Sequence, residues 1–212
     1  TITTLSATDN DAYREVTSAH RWSYAGDAGR IDTVASYVTG TIVYDHTGGT
    51  NEREVTLTSG TWPTWAAFGV IVIANVSYQV ATRVSSSVIT LSANSNPGAD
   101  VASGTSYTLY RDTYPLRADF LSMGSMVESS NQNNPVFVHL NEWIERQRYS
   151  KSPATPRVFC ITSDPNYMNT MAIRLHPPPD AIYHYDYGYQ RRFRPLMFED
   201  VNAGTVTATS GS

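Results

Sequence analysis

A single cysteine, a single lysine and a low density of charge set the first limits on this 212-residue chain. Cys160 cannot close an intrachain disulfide, and no Cys/His pair stands at zinc-ligand spacing, which excludes a disulfide scaffold and a zinc finger. The longest apolar stretch, from Trp65 to Val76, spans about 12 residues against the ~20 of a membrane helix, so a soluble chain with no membrane partner is expected. There is no long basic run. The 15 basic and 19 acidic side chains leave a net charge of −4, without the basic face or stripe of a sequence-specific DNA binder. Up to Pro135 the count is 7 basic to 12 acidic, and beyond it 8 to 7, so neither part is strongly basic. The turn Thr47-Gly48-Gly49-Thr50 lacks the lysine and the helix of a phosphate loop, which leaves nucleotide binding unsupported. The chain opens on Thr1 with a polar segment in which no secretion signal is read, and it lacks an initiator methionine, as a piece with sequence upstream would.

Charged residues make up 16% of the chain, against about 25% in an ordinary soluble domain. Ser, Thr, Asn and 14 tyrosines carry the polarity instead, and every basic residue except Lys151 is an arginine. Tyr and Arg combine a large contact area with a polar tip, whereas the compact lysine ammonium is costly to desolvate, so subunit interfaces favour the first two. An obligate oligomer would have this composition. A genome biased toward arginine accounts for the missing lysines but not for the tyrosines. With its 13 glycines the chain is about 47% apolar, within the globular range, and a chain of this length buries roughly 70% of its unfolded surface.

Residues 9–24 read as a helix. Asp9, Asn10 or Asp11 can cap it, and Tyr13, Val16, His20 and Tyr24 recur at three- or four-residue spacing. Gly26 and Gly29 are expected to end it. From Val34 to about Asp112 the texture turns β-branched, with glycine turns. Val55 and Leu57 alternate with Thr56 and Thr58, and Tyr78, Val80, Thr82 and Val84 with Gln79, Ala81 and Arg83, the two-residue period of half-buried strands. Further strands are expected at 37–44, 69–74, 88–92 and 106–110, enough for a small antiparallel barrel or sandwich. Beyond an extended Thr113-Tyr114-Pro115-Leu116, residues 138–149 predict a helix with Leu140, Trp143, Ile144 and Gln147 along one side. Strands follow at 157–162, 171–175 and 182–189.

Among residues that could carry chemistry, His176, Asp180, His184 and Asp186 are the most suggestive. His184 and Asp186 stand two apart on one strand face, and imidazole with carboxylate can hold a transition metal. A site needs three or four convergent ligands, only two have defined geometry, and no metal site is assigned. His20, His46 and His139 fall in separate elements with no triad-like phrase around any serine. Asp119, Glu142 and Glu145 could supply a carboxylate pair of the glycosidase kind, but Glu142 and Glu145 on neighbouring helix turns are expected to face water. Cys160, within an apolar strand, reads as a buried inert thiol. No catalytic residue and no cofactor are assigned, and a non-enzymatic scaffold is expected. Trp62 and Trp65 beside a loop could stack on a sugar ring. The candidate interface is Arg191, Arg192 and Arg194, which could form bidentate pairs with the carboxylates of an acidic neighbour, meet DNA phosphate, or simply occupy a solvated turn.

Several phrases, in order, resemble tailed-bacteriophage virion proteins, most closely the head-to-tail adaptor group, also called connector or tail tubular protein A. They are Arg21-Trp22-Ser23-Tyr24, Thr33-Val34-Ala35-Ser36-Tyr37-Val38-Thr39-Gly40-Thr41, the hairpin end Ser59-Gly60-Thr61-Trp62, and Ser106-Tyr107-Thr108-Leu109-Tyr110-Arg111-Asp112 leading into Tyr114-Pro115-Leu116-Arg117-Ala118-Asp119-Phe120. Thr155-Pro156 and then Arg174-Leu175-His176-Pro177 through Asp180 into a tyrosine-rich strand continue the pattern. Family members often carry Tyr-x-Leu-Pro-x-Asp-Phe, and here the proline stands earlier, before Leu116. The resemblance covers about Arg21 to Phe193.

It implies a structural virion protein at the head–tail interface: a homo-oligomeric ring, commonly twelvefold, between the portal protein and the tail nozzle or tail-tube protein, around the path of genomic DNA. A slightly acidic balance would limit sticking to that DNA. The expected fold is α+β and β-rich, a helical and antiparallel-β adaptor core from residues 1–36 and 113–212 with a small antiparallel β-barrel or sandwich inserted at 37–112. The other open classes are a receptor- or carbohydrate-binding β module of a tail fibre, and a tail-tube or head-decoration protein.

Overall fold

The structure, a computed structural model, describes residues 11–13, 15–16, 19–20, 22–46, 52–129 and 134–192. Strand β1 (Gly26–Asp32) is followed by seven strands from one continuous stretch: β2 (Ile42–Asp45), β3 (Glu54–Leu57), β4 (Val70–Ile73), β5 (Val76–Arg83), β6 (Val88–Leu91), β7 (Val101–Thr105) and β8 (Tyr107–Tyr110). The rest of the chain supplies β9 (Thr113–Pro115), β10 (Phe120–Glu128), β11 (Val136–Phe137), helix α1 (Leu140–Tyr149), β12 (Val158–Ser163), β13 (Met171–His176) and β14 (His184–Arg191).

The seven strands pair antiparallel in the order β7-β2-β3-β6-β5-β4-β8. Its two outermost strands are separated in sequence by Ser106 alone, and Tyr37 bridges Leu109 of β8 on the way to β2, so the sheet curls into a nearly closed barrel. Period-two alternation sends Ile42 and Tyr44, Val55 and Leu57, Ile71 and Ile73, and Ile89 and Leu91 inward around Trp62 and Leu109. Trp62 is fully buried. Its indole N–H donates to the Ser87 carbonyl at 2.9 Å, and its own carbonyl accepts from Arg83 Nη2 at 3.0 Å.

Between β4 and β5 the turn residues Ala74 and Asn75 have φ of 49° and 62°, the positive values of a two-residue type I′ hairpin. Alanine tolerates that left-handed conformation poorly. Ala74→Gly is expected to raise stability by about 1 kcal/mol, read as a higher denaturant midpoint at unchanged slope.

The other two sheets form a sandwich. One has the order β1-β14-β10, antiparallel throughout; the other is β11-β12-β13-β9, with only β11 and β12 parallel. Ile31, Phe120, Met126 and three tyrosines of β14 pack against Phe159, Ile173 and Leu175 of the facing sheet. Strand β12 is covered on both sides, with Phe159 in this core and Val158 and Cys160 against Trp143 of α1. Two-sided burial explains why Val158-Phe159-Cys160-Ile161 is an unbroken apolar run.

Barrel and sandwich meet at Arg111 and Asp112. The Arg111 guanidinium lies between the rings of Phe68 (5.1 Å) and Tyr114 (4.8 Å). Buried Asp112 accepts from the Thr113 hydroxyl at 2.7 Å and from Arg174 Nη2 at 3.2 Å, and Arg174 in turn covers the Trp143 ring at 4.0 Å.

The expected helical adaptor core is overturned. About 13% of the structure is helical, the core of residues 26–32 and 113–191 lies between two sheets, and α1 packs outside them. Residues 11–13 and 15–16 are helical, but Ser23–Ala25 forms a 3-10 turn, and Gly26 and Gly29 lie inside β1 rather than ending a helix. The reason at Gly29 is contact: a Cβ there would stand 2.4 Å from the Tyr187 ring, so glycine lets the aromatic lie against the backbone. Val16 and Tyr24 are exposed, so their spacing marks no buried face. The caps expected at Asp9 or Asn10 and the turn at Thr47-Gly48-Gly49 lie outside the described residues.

Candidate functional site

Strand β14 sits at the centre of the three-stranded sheet, and its alternation separates two sets of side chains. Tyr185, Tyr187 and Tyr189 point into the sandwich, where burial pushes their hydroxyls above the ordinary tyrosine range. His184, Asp186, Gly188 and Gln190 fall on the opposite, outer face, directly across from Asp32, Arg30, Ala28 and Gly26 of β1. Paired charges cross between β1 and β14 at one end of this ladder. His184 Nδ1 lies 2.7 Å from Asp32 Oδ1, and Arg30 Nε donates to Asp186 Oδ1 at 2.9 Å. The Ser129 hydroxyl donates to Asp186 Oδ2 at 2.6 Å and, with Arg30, holds that carboxyl below the usual carboxylate range. At the other end the small residues Ala28, Gly188, Gly124 and Ser125 line a depression of about 630 Å³, with Asp27 and Gln190 beside them.

This geometry separates the four residues considered for a metal. His184 and Asp186 share a face, as their spacing predicts, but each is taken by its own partner on β1. Asp180 accepts from the Tyr183 hydroxyl at 2.7 Å. His176 is buried in the other sheet beside Trp143, and burial, then Arg146, lower its pKa and favour the neutral ring. Among the described residues no three His, Cys, Asp or Glu side chains come together as metal ligands.

The carboxylates considered for acid–base chemistry are also apart. Glu142 pairs with Arg146 at 2.7 Å on exposed α1, while Asp119 accepts from the Tyr189 hydroxyl at 3.0 Å. Cys160 is buried, which pushes its thiol up to about 11 and keeps it protonated and unreactive near neutrality. Trp62 has no face to offer a sugar, and Trp65 is partly buried against the same core. His139 stands at the start of α1 with its ring against Phe137, His46 near the Tyr44 hydroxyl, and His20 against Trp22.

Of the candidate interface arginines, Arg191 ends β14 and turns back on its own chain. Its Nη2 donates to the Tyr24 carbonyl at 3.1 Å and its Nε lies 3.9 Å from Asp27 Oδ2. Arg192 is exposed and its backbone N–H donates to the Asp119 carbonyl. Arg194 lies outside the described residues.

A second surface comes from α1. Of the four residues expected along its buried side only Trp143 is buried, against Val138, Val158 and Cys160. Leu140 and Ile144, one turn apart, remain outside, as do Val136 and Phe137 on the strand just before, so that four large apolar side chains within nine residues are 43–64% exposed. The exposed pairs of β1 and β14 left no sequence signal, because Arg30 and Asp186 are 156 positions apart. No protein-family model, curated protein or solved structure matches the chain.

Proposed function

We propose that this chain is a non-enzymatic structural subunit of a tailed-phage particle, forming a ring at the head–tail interface. The observation that carries this reading is the exposed apolar run Val136, Phe137, Leu140 and Ile144. Exposed apolar side chains of this kind are what a subunit contact removes from water, at roughly 25 cal/mol per Å². The scarcity of charge and the abundance of tyrosine and arginine favour the same kind of contact. The phrases that resemble connector proteins support the location we propose: portal protein on one side, tail nozzle or tail-tube protein on the other, genomic DNA through the middle.

The function is mechanical. Each copy contributes two different faces to its neighbours, which is the condition for a closed cyclic assembly, and the net charge of −4 repels phosphate in the lumen. Negative-stain electron microscopy and native mass spectrometry of the purified full chain are expected to give closed rings of one subunit number. A monomer at every concentration, or the trimer usual for a fibre, would remove the reading.

A further inference from the structure

We propose that the two open edges of the three-stranded sheet join neighbouring copies, with β10 of one chain pairing in parallel with β1 of the next. The inference rests on the ring reading above and adds to the apolar surface at α1 a second contact of the ring.

A strand edge is a row of unpaired backbone donors and acceptors, and proteins usually blunt it. Three of the fold's four kinds of edge are blunted here. The barrel nearly closes through Ser106 and Tyr37, β11 has two residues, and β9 has three, one of them Pro115. Nothing among the described residues pairs with the outer side of β1 or of β10, which are seven and nine residues long. Strand β10 carries one charge, Glu128, and that side chain is buried. The Glu128 N–H is met by Asn134 Oδ1 at 3.3 Å and the Phe120 N–H by the Arg117 carbonyl at 2.9 Å, so the open edge is the uncharged part from Leu121 to Val127, irregular at two places in its register with β14. On β1 two of the three charges are drawn back over the sheet, Arg30 onto Asp186 and Asp32 onto His184, while Asp27 accepts from the Ala28 N–H at 2.8 Å.

The depression beside β10 is an independent sign. Gly188 lies mid-strand with no positive φ, and a Cβ added there would meet nothing within 4 Å. Neither backbone conformation nor packing among the described residues calls for glycine at that position, although glycine weakens a strand. A neighbour lying close over the backbone does call for it.

Direction selects the occupant. Both β1 and β10 run antiparallel to β14, so they run parallel to each other, and a copy placed beside β10 in the same orientation presents its β1 edge. Seven paired residues extend the sheet along about 23 Å. A twofold β10–β10 contact would stop at a dimer and leave β1 open.

Leu121 and Val127 are 53% and 44% exposed on β10, so Leu121→Lys with Val127→Lys places charge along the edge without touching the core. Gly188→Val fills the depression instead. Wild type and both variants, each as the full chain, are compared by native mass spectrometry, near-ultraviolet circular dichroism and amide exchange. The expected result is rings from the wild type, self-association weakened roughly 30-fold in each variant, the loss typical of one central interface contact, and unchanged circular dichroism. Amides of β10 should exchange slowly in the ring and fast in the variants.

Rings that survive both variants would overturn the edge contact and leave the ring reading standing. A wild-type monomer would remove both. A wild-type dimer as end point, or slow β10 exchange in a monomeric variant, would assign the edge to a twofold contact or to the chain's own segments and overturn the proposal.

Discussion

Asp112→Ala is expected to destabilise the protein by about 3 kcal/mol, with the loss centred on the junction of barrel and sandwich. Asp112 is 2% exposed and Arg174 reaches it from a side chain 28% exposed. Removing the carboxylate leaves a largely desolvated guanidinium facing a cavity, which costs far more than the net worth of the intact pair. The Thr113 hydroxyl loses its acceptor in the same step. The double variant Asp112→Ala with Arg174→Met should recover about half of the loss, because the orphaned charge goes with its partner while the apolar stem over Trp143 stays. Chemical denaturation of the two single variants and the double variant measures the coupling. Additive losses would show that the two side chains do not act as a pair.

Trp62→Ala should cost about 4 kcal/mol, in the upper range for deleting a buried aromatic. The indole is wholly enclosed, meets the Tyr107 ring edge-on at 5.2 Å and lies 6.1 Å from Tyr37. Those tyrosines hold the barrel seam, with the Tyr107 hydroxyl donating to the Thr39 carbonyl at 2.7 Å and Tyr37 paired to Leu109. A cavity at Trp62 therefore loosens the seam as well as the core. Limited proteolysis should cut the variant between Tyr37 and Thr41 well before the wild type, and thermal melting should fall with it. A variant that melts like the wild type would mean that Trp62 contributes little to the barrel.

Much of the barrel can be read from local pattern. Val55 and Leu57 alternate with threonines, and both are buried in β3; the period-two signal works because one face of each strand is wet. Strands β1 and β10 cannot be read in this way. Gly26-Asp27-Ala28-Gly29-Arg30-Ile31-Asp32 holds one large apolar residue, and Ser122, Gly124 and Ser125 interrupt β10 where its register with β14 shifts. Both are strands because the tyrosines of β14 give them a surface to cover, a tertiary cause that local propensity does not register. The same holds for the surface proposed for assembly. The arginines at 191, 192 and 194 stand out in the sequence, whereas an open edge is a property of a neighbour's absence and becomes visible only when every other strand has been placed. On α1, Leu140 and Ile144 share a helical side with Trp143 in projection, but only Trp143 reaches Val158 and Cys160 of β12 and Arg174 of β13.

The order in which the chain can acquire its structure follows from the spacing of its strands. Barrel strands find partners within a single stretch ending at Tyr110, whereas β1 waits for β14, which leaves the ribosome 156 residues after Arg30 at the Asp186 pairing. Because domains form as units during synthesis and local contacts close first, the barrel can be complete while Gly26–Asp32 is still an unpaired ribbon tethered to its entrance. Strand β14 is thus the one that commits the first, and a nascent chain halted before His184 would carry a finished barrel with an open sandwich.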